Sequence, residues 1–447
     1  MRFVLAMLFA VAANDPSHAS EGEFQSSGCG RYDRFDADTI LLGMDPTAIV
    51  CLTEGATPSL ISKFDSFSES KKALAQLLLL QMGGSGDATD SIVQWLHDHP
   101  TAGVDEIKQV LRALGYAYTQ QQQLRRANAL GAALKSEDLT AASALRWIDG
   151  AESLPDQQNV ALSGDAGFRS KLDFGTPREG FVHGEVSGKK VDVFFDSGAS
   201  GSFVSEARAN ELGFRFLGEE TVAVSTLAGA ARLRMAAAPP IQIGGTTLNN
   251  VIFLVTPNND TYRGYGRGIT LGTPVMRMFG KVAWLKGGTE FAAGDKAPDV
   301  ACLSEPNPLF QYQGYVGLIG GLPQGAAASF FDSGFLFTFL NRSTAATYAP
   351  EIRLRSKTKY ASEIETDGRR KISTLGAPRF RMRVGEADIA LKDVRAIFPI
   401  ETGPIGFVAQ FGMDMVKQTG AFVYDFDAMT YAAVGRNDPQ LAACMPD

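Results

Sequence analysis

The chain of 447 residues is longer than one hydrophobic core usually serves, and at about 150 residues per domain it suggests two or three units. Hydrophobic residues at 45%, charged residues at 20% and 47 glycines describe a compact globular protein, without the bias that marks disorder or low complexity. A net charge of −7, with no block of lysines or arginines, leaves no electrostatic footprint for nucleic acid or an anionic membrane.

The first element in chain order is MRFVLAMLFAVAANDPSHAS. Arg2 precedes an apolar run from Phe3 to Ala13, and a small-residue site, Ser17-His18-Ala19, follows, so residues 1–19 read as a secretory signal peptide. The run is too short to span a bilayer, and no later segment approaches the apolar length of about 20 residues that a membrane helix needs. The mature chain is expected to begin at Ser20, to be exported to a periplasm or secreted, and to carry no transmembrane segment.

Four cysteines follow, Cys29, Cys51, Cys302 and Cys444, an even number that suits an oxidising compartment. Three connectivities are open. Proximity favours Cys29 with Cys51 in the segment 20–57, which leaves Cys302 to meet Cys444; reduced, buried thiols are the alternative.

Residues 58–155 read as a helical domain, because SESKKALAQLLLLQM, TDSIVQWLHDHP, GVDEIKQVLRALGYAYTQQQQLRRANALGAAL and LTAASALRWIDG place apolar residues at helical spacing. Breaks fall at GGSGD and HPTAG. His97 and His99 form an H-x-H at a helix end, where a metal role is not favoured. From about Ser163 the texture changes to β-branched alternation punctuated by glycine, as in GFVHGEVSGKKVDVFF and IQIGGTTLNNVIFLV. A hydrophilic stretch, KGGTEFAAGDKAPD, is expected to separate this unit, 163–298, from a last one, 299–447.

The word FFDSG ends a strand-like run twice, with its aspartates at Asp196 and Asp332, 136 residues apart. The sequence after each copy recurs in order. A helix is expected in SEARANELGF and in RSTAATYA, then a hairpin in VSTLAGAARL and in IETDGRRKISTL, then another in IGGTTLNNV and in VGEADIALKDV. Gly272 and Gly280 answer Gly412 and Gly420 at a spacing of 140. A single Asp-Ser-Gly is ordinarily a turn, but two in matching contexts indicate duplication. Duplicated lobes meeting about a two-fold axis would bring Asp196 and Asp332 together. Two carboxyls in contact share a proton, so that one serves as base toward a water while the other polarises a carbonyl.

FFDSGAS with TLGTP, and FFDSG with QFGMDMV, resemble the retropepsin-like aspartic proteases of the pepsin and retropepsin clan, over roughly residues 165–436. The resemblance implies a mainly β fold of two β-barrel lobes in tandem, here preceded by a small all-α domain, and a bacterial periplasmic or secreted endopeptidase. It implies Asp196 and Asp332 as catalytic residues, supported by Ser197, Gly198, Ser200, Ser333 and Gly334. It places flaps near Ser225, Thr226 and Leu227 and near Asp367 and Gly368, and it calls for no cofactor or metal. The implied partner is a protein or peptide substrate, not nucleic acid, and the two lobes would let one chain act as a monomer.

The copies differ where Leu336 stands opposite Ser200 and Phe335 opposite Ala199. If that removes the outer hydrogen bond of Asp332, this aspartate should hold the proton more readily. The same departures leave open a catalytically inactive peptide-binding protein on the same fold, and pairing of each lobe with another chain is a further alternative. His183 has no partner nearby in sequence for a Ser-His-Asp site, and GYGRG at 264–268 lacks the strand–helix context of a phosphate loop. The helical region is expected to recognise a protein partner or to inhibit, with a plain scaffold as the alternative.

Overall fold

A computed structural model describes residues 67–445 apart from 84–88, 155–158, 175–179, 227–228, 258–267, 313, 323–324, 342–354, 366–367, 378–379, 392–393, 399–406 and 408. Cys29, Cys51, Leu227, Asp367, the glycine-rich loop before Gly268 and the expected helix RSTAATYA lie outside the described residues.

Among the described residues five helices come first, Glu69–Met82, Thr89–Asp98, Val104–Gln120, Leu124–Ala133 and Ala141–Glu152. The longest buries Ile107, Val110, Leu111, Leu114 and Tyr118, a stripe at the spacing of one helical face. The last starts at Thr140, whose side chain accepts from Ser143 N. These helices do not close a core of their own. Phe310, Tyr312, Phe330 and Phe407, which belong to the strand region, are packed into the same buried cluster. Helix Leu124–Ala133 puts Leu124 among Val222, Leu233, Met235, Ile252 and Leu254 instead.

The rest of the described chain is mainly β, in sheets of 11 and 15 strands. In the first, the hairpin Arg215–Thr226 and Gly229–Ala237 is followed across the sheet by Ile252–Thr256, Ser202–Ser205, Gly268–Gly272, Lys189–Asp196 and Gly180–Val186. In the second, the hairpin Arg355–Glu365 and Gly368–Ala377 is followed by Val394–Phe398, Phe339–Asn341, Ala409–Phe411, Gly325–Phe331 and Tyr315–Leu322. The order is the same, strand for strand. Parallel pairing of Lys189–Asp196 with Gly268–Gly272 is repeated by Gly325–Phe331 with Ala409–Phe411. The smaller hairpins turn at Gly244 and Gly385, with φ of 60 and 54, where glycine avoids the penalty of a side chain.

The stretch KGGTEFAAGDKAPD is not the spacer that its polarity suggests. Glu290–Gly294 within it is buried and lies between Lys281–Leu285 and Gly167–Lys171. Lys281–Leu285 in turn pairs with Thr419–Asp425, so the two repeats are joined through one sheet. Ala283 faces Val423, its counterpart at the spacing of 140, and Lys281–Asp425 mirrors Leu285–Ala421. The register is therefore unchanged when the copies are exchanged, which is what a two-fold axis through that pair requires. The small residues of EFAAG hide the strand from a polarity scan because both of its faces are covered, by Phe168 and Trp284 in one cluster and by Val300 and Leu303 in another.

Cys302 and Cys444 form a disulfide with Cα atoms 5.7 Å apart, closing a loop of sequence separation 142. No described helix is long and apolar enough to cross a membrane.

Candidate active site

Both phenylalanines of each FFDSG are buried because both faces of the strand are covered. Phe195 stacks on Phe291 at 4.5 Å, and Phe331 meets Trp284 edge-on at 4.8 Å. On the opposite faces, Phe194 meets Phe181, while Phe330 meets Tyr315 and Phe407. An aspartate then ends each apolar run, where the backbone must turn.

The turn is held by a strand that crosses it without room for a side chain. A Cβ on Gly272 would lie 2.3 Å from the Gly201 carbonyl oxygen, and one on Gly412 would lie 2.6 Å from that of Phe337. Gly272 N donates to Ser202 Oγ at 3.3 Å, as Gly412 N does to Thr338 Oγ1 at 3.2 Å. Thr273 N reaches Ala199 O at 2.9 Å and Met413 N reaches Phe335 O at 2.7 Å. The glycine of each TLG and QFG segment is thus required by close backbone approach.

The two turns bond to each other reciprocally. Ser197 Oγ donates to Phe331 O at 2.8 Å and accepts from Ser333 N at 3.0 Å. Ser333 Oγ donates to Phe195 O at 2.6 Å and accepts from Ser197 N at 3.0 Å. Both serines are buried. Within each turn, Gly198 N donates to Asp196 Oδ1 at 3.0 Å and Gly334 N to Asp332 Oδ1 at 2.8 Å. A Cβ on Gly334 would fall 3.0 Å from Asp332 Oδ1 and 3.1 Å from Asp196 Oδ2, so both carboxyls border the same glycine. A Cβ on Gly198 would fall 2.1 Å from Asp332 Cγ, so this glycine makes room for the opposite carboxyl.

Burial raises the proton affinity of Asp196, opposed by the N–H groups of Gly198 and Gly334 and by Asp332. Asp332 is pushed well above the usual carboxylate range, first by burial and then by the Asp196 charge. Both carboxyls are therefore pushed toward the acid form, Asp332 the more strongly. Tyr315 lies in electrostatic range of both aspartates, and Tyr116 of helix Val104–Gln120 lies in range of Tyr315. Burial holds Tyr116 neutral, pushed up to about 12. Helix Val104–Gln120 thus approaches the pair from the side of Tyr315, and Gln120 Nε2 donates to Gly314 O at 3.3 Å beside it.

Several sequence expectations change. The outer bond of Asp332 is present, because Gln410 Nε2 donates to Asp332 Oδ2 at 2.7 Å. Ser200 is half-buried and, among the described residues, no hydrogen bond ties it to Asp196; the hydroxyls that brace the two turns are Ser202 and Thr338. The segment QFG points to its glycine by repetition, and the signal for Gln410 is that a glutamine stands where the first copy has Thr270. Asp414, opposite Pro274, likewise accepts from Thr338 Oγ1 at 2.7 Å and Thr338 N at 3.0 Å. Ser225 and Thr226 end one long hairpin strand and Gly368 starts another, at equivalent places in the two sheets.

Two of the histidines are engaged elsewhere. His183 Nδ1 lies 3.1 Å from Asp192 Oδ1 on an exposed strand pair, and His99 stacks on Trp95 at 4.6 Å.

Residues 182–275 match a family model described as aspartyl protease. The matched segment contains Asp196, the serine-bearing turn, one long hairpin and the crossing TLG segment. Asp332 and the second copy lie outside it. No curated protein matches the chain. The match supports an aspartic peptidase in general terms, and with it a peptide substrate.

Proposed function

We propose that the chain is an aspartic endopeptidase in which Asp196 and Asp332, supplied by two tandem retropepsin-like lobes, act as one dyad. The observation that carries this reading is the reciprocal bonding of Ser197 and Ser333, which brings together the two turns whose carboxyl groups both border Gly334. Asp196 acts as the base and Asp332 as the acid. A water held between them gives a proton to Asp196 while its oxygen attacks the peptide carbonyl carbon. Asp332 gives its proton to the carbonyl oxygen, and a tetrahedral diol results. Return of a proton to the amide nitrogen breaks the C–N bond and releases amine and acid, with no covalent intermediate.

The approach of both carboxyls to Gly334 and the extra donor on Asp332 count against a second copy that keeps the fold without chemistry. One chain supplies both aspartates, which supports a monomer. The bridge between Cys302 and Cys444 suits an exported protein.

Asp196→Asn and Asp332→Asn should each abolish cleavage of a mixed peptide library while leaving the circular dichroism spectrum unchanged. Undiminished cleavage by either folded variant would remove the dyad.

A further inference from the structure

The two copies agree bond for bond at the serines, at the glycine N–H groups and at the crossing glycines, and the bond from Gln410 to Asp332 breaks that agreement. Gln410 pairs with Phe330 in one parallel ladder as Thr270 pairs with Phe194 in the other. The two residues hold the same place, 140 positions apart. Thr270 is buried and, among the described residues, provides no such bond to Asp196.

We propose that Gln410 is a positioning residue for the dyad, fixing Asp332 Oδ2 and setting the pH range over which the pair carries one proton. The proposal rests on the peptidase reading above. Gly334 N holds Oδ1 at 2.8 Å and Gln410 Nε2 holds Oδ2 at 2.7 Å, so the plane of the Asp332 carboxyl is fixed from both sides. Asp196 is held by the Gly198 N–H at 3.0 Å, a backbone donor that no side-chain substitution removes. The titratable groups facing Asp332 are Asp196 on Lys189–Asp196, Tyr315 on Tyr315–Leu322 and Tyr424 on Thr419–Asp425. Burial holds both tyrosines neutral, so Asp196 is the neighbour whose charge changes in the working range.

An amide is neutral at every pH, and its donation favours the carboxylate over the acid. Gln410 therefore works against burial and the Asp196 charge. Without it, the pair should keep its proton to higher pH, and the carboxyl should be free to rotate away from its productive plane. A hydrogen bond to a charged group corresponds to a change of about one pH unit or somewhat more.

The test measures two quantities in Gln410→Met, which keeps the unbranched chain and drops the amide. One is the pH profile of kcat/KM on a peptide substrate, and the other is the carbon-13 carboxyl titration of aspartate-labelled protein, with Asp332→Asn assigning the resonance. The upper ionisation should rise by about one pH unit in both, with a fall in kcat. Gln410→Thr, which installs the residue of the first copy, should shift it the same way and serves if the methionine variant does not fold. Gln410→Glu should lose activity more than tenfold once the introduced carboxyl ionises beside Asp332. An upper ionisation unchanged in a folded methionine or threonine variant overturns the proposal. If the native chain cleaves no peptide at any pH, the peptidase reading fails, and the carboxyl titration still decides whether Gln410 sets the ionisation of Asp332.

Discussion

Replacing Ser197 by alanine removes one hydroxyl and strands two buried groups at once. The Phe331 carbonyl loses its donor at 2.8 Å, and the Ser333 N–H loses its acceptor at 3.0 Å. Phe331 and Ser333 are both buried, so neither group gains solvent in exchange. At about 1–3 kcal/mol for each unsatisfied buried group, the loss should be about 2–6 kcal/mol. Ser333→Ala strands the Phe195 carbonyl and the Ser197 N–H and should cost a similar amount. Urea unfolding followed by tryptophan fluorescence reads the change, since Trp284 is buried in the aromatic cluster that holds Phe331. The single variants should also lose kcat more than binding, because the carboxyls are no longer set by the turns that carry them. Losses below about 0.5 kcal/mol in both variants, the range of ordinary surface substitutions, would show that the serines do not hold the turns together.

The stability of the chain should fall with pH through Asp332. Its folded value is raised by burial and by the Asp196 charge, so the native state keeps a proton that the unfolded chain releases. The contribution is complete below the unfolded carboxyl value of about 4 and is lost as pH climbs toward the folded value. Asp332→Asn lacks that loss, so its melting temperature should gain on that of the native chain as pH rises above about 4; a constant gap across that range would contradict the assignment. Deleting the helical region, by starting the chain at Ser163, should destabilise the protein instead of activating it. Phe310, Tyr312, Phe330 and Phe407 share the buried cluster of the helices, and exposing a large apolar side chain costs about 1.5–3 kcal/mol. A truncated chain with an unchanged urea midpoint would show that the helices are a detachable unit.

The helices, the long hairpins and the glycine turns were legible from residue order, since each depends on neighbours a few positions away. The helix after Ser205 shows the pattern: Ser205 caps it through Arg208 N, and Gly213, with a φ of 77, ends it. The pairing of Asp196 with Asp332 was legible too, because duplication writes the same word twice and a two-fold axis brings equivalent residues together. The difference between the two copies was legible at Leu336 and Phe335, but the reason drawn from it, a missing outer bond on Asp332, does not hold. Loss of a hydroxyl at Leu336 suggested a missing bond, and a side chain from a different strand restored it.

What residue order could not show are contacts whose partners are far apart and carry no repeated word. Glu290–Gly294 looked like a polar connection because the groups covering its two faces come from elsewhere in the chain. The helices looked separable because the phenylalanines that finish their core lie beyond residue 300. Gln410 sits 78 residues from the carboxyl that it bonds, and a glutamine in an apolar segment has no local pattern that names its partner. Spacing along the chain records which elements form and which of them are copies, because propensity and duplication act on the chain itself. The acceptor of a buried amide and the cover of a buried strand are set by packing between distant segments, and the two turns that carry Asp196 and Asp332 are locked together by bonds of that kind.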